Sequence, residues 1–201
     1  MFTFTRLRFP LISSFVFILL VFSQSSFAGW TLNPLDSALY YITSKAAAVS
    51  ELNSFTELSG SIDDAGNGTL AISLSSVDTA VDIRNERMRD IVFQVANYPI
   101  ASISVKAEGA MLTEMRAGES VQATFEAVID LHGIQQSMPV QLAVNKQENG
   151  GLLIALAKPL IINAASFGLA ESVEQLREIA GLPSINNNVV IDFTLQFDVA
   201  D

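Results

Sequence analysis

A single histidine, His132, and the absence of cysteine set narrow limits on the chemistry open to this chain of 201 residues. Structural zinc, haem and iron–sulfur centres draw on clusters of these two residue types, so no metal or haem site is expected. A serine nucleophile would have only His132 as an imidazole partner, and the chain has no Gly-x-Ser-x-Gly elbow. His132 precedes Gly133 at a strand end, where an imidazole is more often a hydrogen-bonded structural group than a base. Carboxylates are plentiful but form no acid–base pair. Asp63 and Asp64 fall in a turn, where Asp bonds its own backbone. Glu171 and Glu174 lie near the start of a helix, where negative charge is favoured anyway. Glycine-rich phosphate loops and interleaved basic and aromatic residues are also missing. The chain therefore reads as a binding protein, with no catalytic residue, metal or cofactor expected.

The elements around these residues are strands. Val121, Ala123, Phe125, Ala127, Ile129 and Leu131 alternate with Gln122, Thr124, Glu126, Asp130 and His132, the pattern of a strand with one dry face. A turn through residues 133–137 then leads into Val140, Leu142 and Val144, which predicts an antiparallel pair. Phe193, Leu195 and Phe197 continue the same alternation near the C-terminus. Earlier stripes comprise Leu39 with Tyr41, then Leu70 with Ile72 and Leu74, then Ala101 with Ile103 and Val105.

Residues 63–68 and 148–151 carry glycine and asparagine and read as tight turns. Residues 152–162 are apolar at nearly every position, which predicts a strand covered on both faces, with Pro159 at an edge or a bulge. Residues 78–90 break the alternation and predict a short surface helix with paired charges. Its Ile83 and Met88, with Ile91 and Phe93 beyond, would tuck inward and close one end. Val173, Leu176 and Ile179 have helical spacing ahead of Gly181 and predict a second short helix. About eight up-and-down strands with hairpin-length links predict an all-β fold closed into an antiparallel barrel, with one or two short helices.

Such a barrel is either packed with side chains or hollow enough for one small ligand. Ala101, Ala123 and Ala127 on the apolar stripes leave room for a slender guest, whereas Phe125, Phe193 and Phe197 would fill it. Arg6 and Arg8 precede an apolar run over residues 11–22, and Ser26-Phe27-Ala28 supplies the small residues of a cleavage site. Residues 1–28 thus read as a signal peptide, and residues 29–201 as one domain. The run is shorter than the roughly 20 residues of a spanning helix, so no stable membrane insertion is expected after cleavage. The balance of 21 acidic to 11 basic residues argues against nucleic acid as a partner. Without cysteine the fold stands on its core alone.

The run Ile129-Asp130-Leu131-His132-Gly133-Ile134, followed by Met138-Pro139-Val140, resembles the signature of the YceI-like polyisoprenoid-binding proteins of the bacterial periplasm. Ser76-Val77-Asp78-Thr79, the arginine-rich run at 84–89, Tyr98-Pro99 and Ser166-Phe167-Gly168 resemble further family landmarks in the same order. The resemblance spans residues 30–199. It implies a lipocalin-like barrel of eight antiparallel strands whose long apolar cavity takes an isoprenoid chain. It further implies that Leu39, Tyr41, Leu70, Ile72, Leu74, Ile103 and Val105 line that cavity. The same holds for Ala123, Phe125, Ala127, Ile129 and Leu142, and for Phe193, Leu195 and Phe197. The family often carries histidines where this chain has Asp36 and Lys45.

On this reading the protein is a periplasmic carrier of a polyisoprenoid, an isoprenoid quinone or a similar long-chain lipid. One alternative is an outer-membrane barrel, since alternation alone does not say which face points outward. Another is a non-enzymatic accessory protein of stress or electron transport that works through protein contacts. Its partners would be a second copy of the chain or a membrane cytochrome, as some family members sit beside cytochrome b561.

Overall fold

The computed structural model describes residues 29–46 and 48–200; the expected signal peptide lies outside them. Its strands are Gly29–Lys45 (β1), Val49–Phe55 (β2), Leu58–Asp63 (β3), Asn67–Ser73 (β4), Val77–Asp78 (β5) and Ile100–Lys106 (β6). Ser120–Leu131 (β7), Ile134–Lys146 (β8), Leu152–Leu156 (β9), Leu160–Asn163 (β10) and Asn188–Val199 (β11) complete the set. Three short α-helices interrupt them: Asp82–Arg87 (α1), Gly109–Thr113 (α2) and Ala170–Ile179 (α3). A π-helical turn at Met88–Val92 continues α1.

The strands close a ring in the order β1, β3, β4, β6, β7, β8, β9, β11 and back to β1. Every pairing in it is antiparallel, so the fold is the expected eight-stranded barrel. β2 and β5 extend the sheet beside the second half of β1, and β10 does the same beside the first half of β11.

The β7–β8 ladder runs unbroken from Ser120 opposite Asn145 to Leu131 opposite Ile134. Its turn is only His132 and Gly133, with φ of 57° and 74°. The expected longer turn through 137 is therefore corrected: a two-residue hairpin with both central φ positive matches strand twist, and β8 resumes at Ile134. Pro139 is tolerated within β8 because β9 pairs only from Leu142 onward, leaving Pro139 on an unpaired edge.

β1 runs well beyond the Leu39–Tyr41 stripe, from Gly29 to Lys45. Its register against β11 slips between Asn33 and Ala38. There the Ser37 hydroxyl donates to Asn33 O at 2.7 Å and accepts from Gln196 N at 2.9 Å, replacing the interrupted ladder. The run at 152–162 is split at Pro159 into β9 and β10. Coverage on both faces is corrected too: Leu160 and Ile162 are buried, but Ile161 between them is 64% exposed.

One half of the barrel is solid. Trp30, Leu32, Ile62, Leu70, Leu142, Leu152 and Phe197 are buried there, in one core cluster with Leu112 of α2 and with Met115. Trp30 Nε1 donates to Gly150 O at 2.9 Å, and the Lys146 ammonium lies 4.4 Å from its ring centre. Outward positions such as Asn67, Thr69, Gln122, Thr124, Glu126, Asp192 and Thr194 are polar and exposed. A membrane barrel needs an apolar band on that outer face, so the alternation runs against the outer-membrane alternative. Among the described residues no helix is long and apolar enough to cross a membrane.

Candidate functional site

The other half of the barrel holds a cavity of about 380 Å³, within the range of small-molecule sites. Its walls are the inward stripes of the strands: Leu39 and Tyr41 of β1, Ala101 and Ile103 of β6, Ile129 and Leu131 of β7, Val189 and Ile191 of β11. Ile72 and Leu74 continue the wall where β4 gives way to a 3-10 turn at Leu74–Ser76. Period-two alternation places these side chains inside for the same reason that it packs the solid half.

Helical segments make the roof. Ile83 of α1, Met88 and Val92 of the π-helical turn, and Phe93 cover one side. Leu169 before α3, with Val173 and Leu176 on its inner face, covers another. Aromatic rings tie roof to wall: Tyr41 stacks on Phe55 with centroids 5.3 Å apart, and Phe55 meets Phe93 at 5.8 Å.

Polar groups gather at the mouth. The Glu51 carboxylate of β2 receives Lys45 Nζ on one oxygen and Arg84 Nη1 on the other, each at 2.7 Å. Arg84 Nη2 donates to Thr79 O, and the Thr79 backbone N–H donates to Asn85 Oδ1 at 2.8 Å. Arg84 thus joins α1 to β2. The expected pairing of charges within 78–90 is corrected: the pairing of Arg84 spans 33 positions, to the strand that extends the sheet beside β1.

The YceI-like domain family matches residues 30–197. The chain belongs to that family. In three dimensions the YceI-like chain is similar to a polyisoprenoid-binding domain from Saccharophagus degradans implicated in plant cell wall breakdown. The two are 34% identical with a TM-score of 0.84, over 86% of this chain and 99% of that one. BcnA of Burkholderia cenocepacia is 17% identical with a TM-score of 0.63, over 82% and 98%. A YceI protein of Campylobacter jejuni is 14% identical with a TM-score of 0.53, over 74% and 84%. At those identities the last two speak for the fold alone. No curated protein matches the chain.

The cavity gathers Leu39, Tyr41, Ile72, Leu74, Ile103 and Ile129 from the residues expected to line it. Leu70, Val105, Phe125, Ala127, Leu142, Phe193, Leu195 and Phe197 are absent from its wall and join the packed core instead. Ala123 is half-buried and also off the wall. The reason is depth along the barrel axis: Ala127 is completely enclosed, so its small size admits neighbouring side chains rather than a guest. Ala101 is the small residue that does border the space. Ile83, Met88 and Phe93 line it as expected from tucking inward, and Ile91 does not.

Alternation gave no sign of the α3 lining, though the helical spacing of Val173 and Leu176 carried that face. His132 is not on the cavity wall. It packs against Tyr98 with ring centroids 4.1 Å apart, and partial burial lowers its pKa.

Glu51 makes the mouth pH-sensitive. Burial by itself raises the Glu51 carboxyl, but hydrogen bonds from Lys45 and Arg84, with their charges, outweigh it and hold the pKa below its ordinary 4.5. A carboxylate with a depressed folded-state pKa stabilises the fold fully above its ordinary value and loses that contribution as pH falls through the folded value. Acidifying from neutrality to below 4.5 is expected to lower the urea midpoint of the wild type more than that of Glu51→Gln. Equal losses in both proteins would show that the Lys45–Glu51–Arg84 link does not hold the mouth.

Proposed function

We propose that this YceI-like protein is a periplasmic carrier that holds a polyisoprenoid, an isoprenoid quinone or a similar long-chain lipid in the roofed half of its barrel. The observation that carries this reading is the apolar cavity itself, walled by strand residues and covered by two helical segments instead of being filled. The similar domain from Saccharophagus degradans, a polyisoprenoid-binding one, supports the ligand class. The basic, apolar and small-residue run over 1–28 supports export.

Driving force comes from taking the chain out of water, at about 0.8 kcal/mol for each buried CH2 group. The roof shields the chain while the polar outer surface keeps the loaded protein in solution. A titration with isoprenoid alcohols of ten, fifteen and twenty carbons (about two, three and four isoprene units) tests this, since affinity is expected to rise at each step. Failure of all three to bind, measured by displacement of a fluorescent fatty probe, would contradict the carrier reading.

A further inference from the structure

The apolar lining of the cavity does not stop at its mouth. On the α1 side Val81 and Ile83 line the cavity and yet stand exposed, Ile83 at 53%. From the end of α3 onward Ala180, Leu182 and Ile185 line it too, and Ala180 is exposed as well. Two further apolar residues lie just outside the lining. Ile179, the last residue of α3, is 46% exposed, and Val49 stands exposed opposite Lys45 in the β1–β2 ladder. Apolar side chains scattered singly over a surface need no explanation, but a group of them around one opening marks an interaction site.

The two sides of the mouth form one rim. Residues 182–186 are fastened to the end of β1, where the Ala46 N–H donates to Ser184 O at 3.0 Å and the Asn186 N–H to Ser44 O at 2.8 Å. Lys45, at that same strand end, meets Glu51, and Glu51 meets Arg84 of α1.

Charge narrows what this rim meets. Three basic side chains line the cavity, Lys45, Arg84 and Arg87, against the single acid Glu51, whereas the whole chain carries 21 acidic to 11 basic residues. Glu51 takes up Lys45 and Arg84, which leaves Arg87 without an ion pair among the described residues. Arg87 lies one helical turn from Ile83, on the same stripe of α1. The acids of this segment, Asp82, Glu86 and Asp90, are exposed but absent from the cavity wall. An apolar rim with an excess of positive charge complements a surface that presents phosphates above hydrocarbon. A second copy set mouth to mouth would instead bring two unpaired arginines together without a counter-charge.

We propose that the rim of the cavity docks reversibly on an anionic phospholipid surface, with Ile83, Ile179 and Val49 entering the headgroup boundary and Arg87 meeting a lipid phosphate. This assignment rests on the carrier reading above and adds the route of loading: the lipid passes from bilayer to cavity along apolar side chains without crossing water.

Flotation of the purified protein with vesicles tests it, with phosphatidylcholine alone and with phosphatidylcholine mixed with phosphatidylglycerol. The wild type is expected to float with the mixed vesicles more than with phosphatidylcholine alone, and added salt is expected to narrow that difference. Ile179→Asp is expected to weaken partition onto the mixed vesicles about tenfold, and Arg87→Gln about fivefold. Ile179 does not line the cavity, so displacement of the fluorescent fatty probe in solution is expected to be the same in Ile179→Asp as in the wild type, which also shows that the variant is folded.

Equal flotation of wild type and Ile179→Asp, or no preference for the mixed vesicles, would overturn the docking assignment, while probe binding would leave the carrier reading standing. Equal partition of wild type and Arg87→Gln would overturn it even if Ile179→Asp did not fold. A wild type that stayed off both vesicles and sedimented as a dimer would overturn it in favour of contact between copies. If the probe did not bind the wild type at all, the carrier reading would fall, and the docking assignment with it.

Discussion

Phe167→Ala is expected to cost about 3–5 kcal/mol of folding stability, out of a total of about 5–15 kcal/mol for a domain of this kind. The ring is completely enclosed, at 0% exposure, and is the largest of the fully buried side chains. It ends the short 3-10 segment Ala164–Phe167, after which Gly168 turns the chain with φ of 73°. The Leu169 N–H then donates to Ala164 O at 3.1 Å, bringing the chain into α3. Phe167 therefore joins β10 to the helix that roofs the cavity, and its loss leaves a hole that rigid neighbours only partly close. Urea unfolding of the lipid-free protein checks this. A loss below about 1 kcal/mol, the size of an ordinary surface change, would show that the roof is not anchored there.

Ala101→Phe is expected to weaken lipid binding about a hundredfold while the protein still folds. Ala101 sits opposite Ile72 in the β4–β6 ladder and faces the cavity, so a ring at this position would grow into space that a guest occupies. Excluding three or four CH2 groups of the lipid costs about 3 kcal/mol, a loss of about a hundredfold in affinity. The same probe displacement used for the isoprenoid alcohols reads the effect, and near-ultraviolet circular dichroism confirms that the barrel remains packed. Wild-type affinity in a folded Ala101→Phe would place the lipid elsewhere.

These two positions also mark where the amino-acid pattern carries the fold and where it stops. Alternation separates inside from outside, because neighbouring side chains on a strand point to opposite faces. Thus Leu39, Tyr41, Ile103 and Ile129 were legible as interior residues. It does not report depth along the barrel axis. Ala127 and Ile129 are both buried on one inward stripe of β7, yet only Ile129 reaches the cavity. Depth is decided by Leu112 and Met115 closing one end and by α1, the π-helical turn and α3 covering the other. Those segments come from distant parts of the chain.

Turn chemistry was partly legible. Gly133 announced a bend, but the positive φ of His132 was not visible, because histidine only occasionally adopts that region. The α2 helix passed unread, as a five-residue helix is too short to show a 3.6-residue period. Glu51 and Arg84 were each legible as charges. Their pairing was not, since it depends on β5 pairing with β2, which sets α1 beside Glu51.

The measurement that bears most directly on the central claim is mass spectrometry of an organic extract from the natively purified protein. A bound isoprenoid-chain lipid is expected in near one-to-one amount with the wild type and is expected to be lost from folded Ala101→Phe. Recovery of wild-type protein with no long-chain lipid, or the same lipid at equal level in both proteins, would contradict the account.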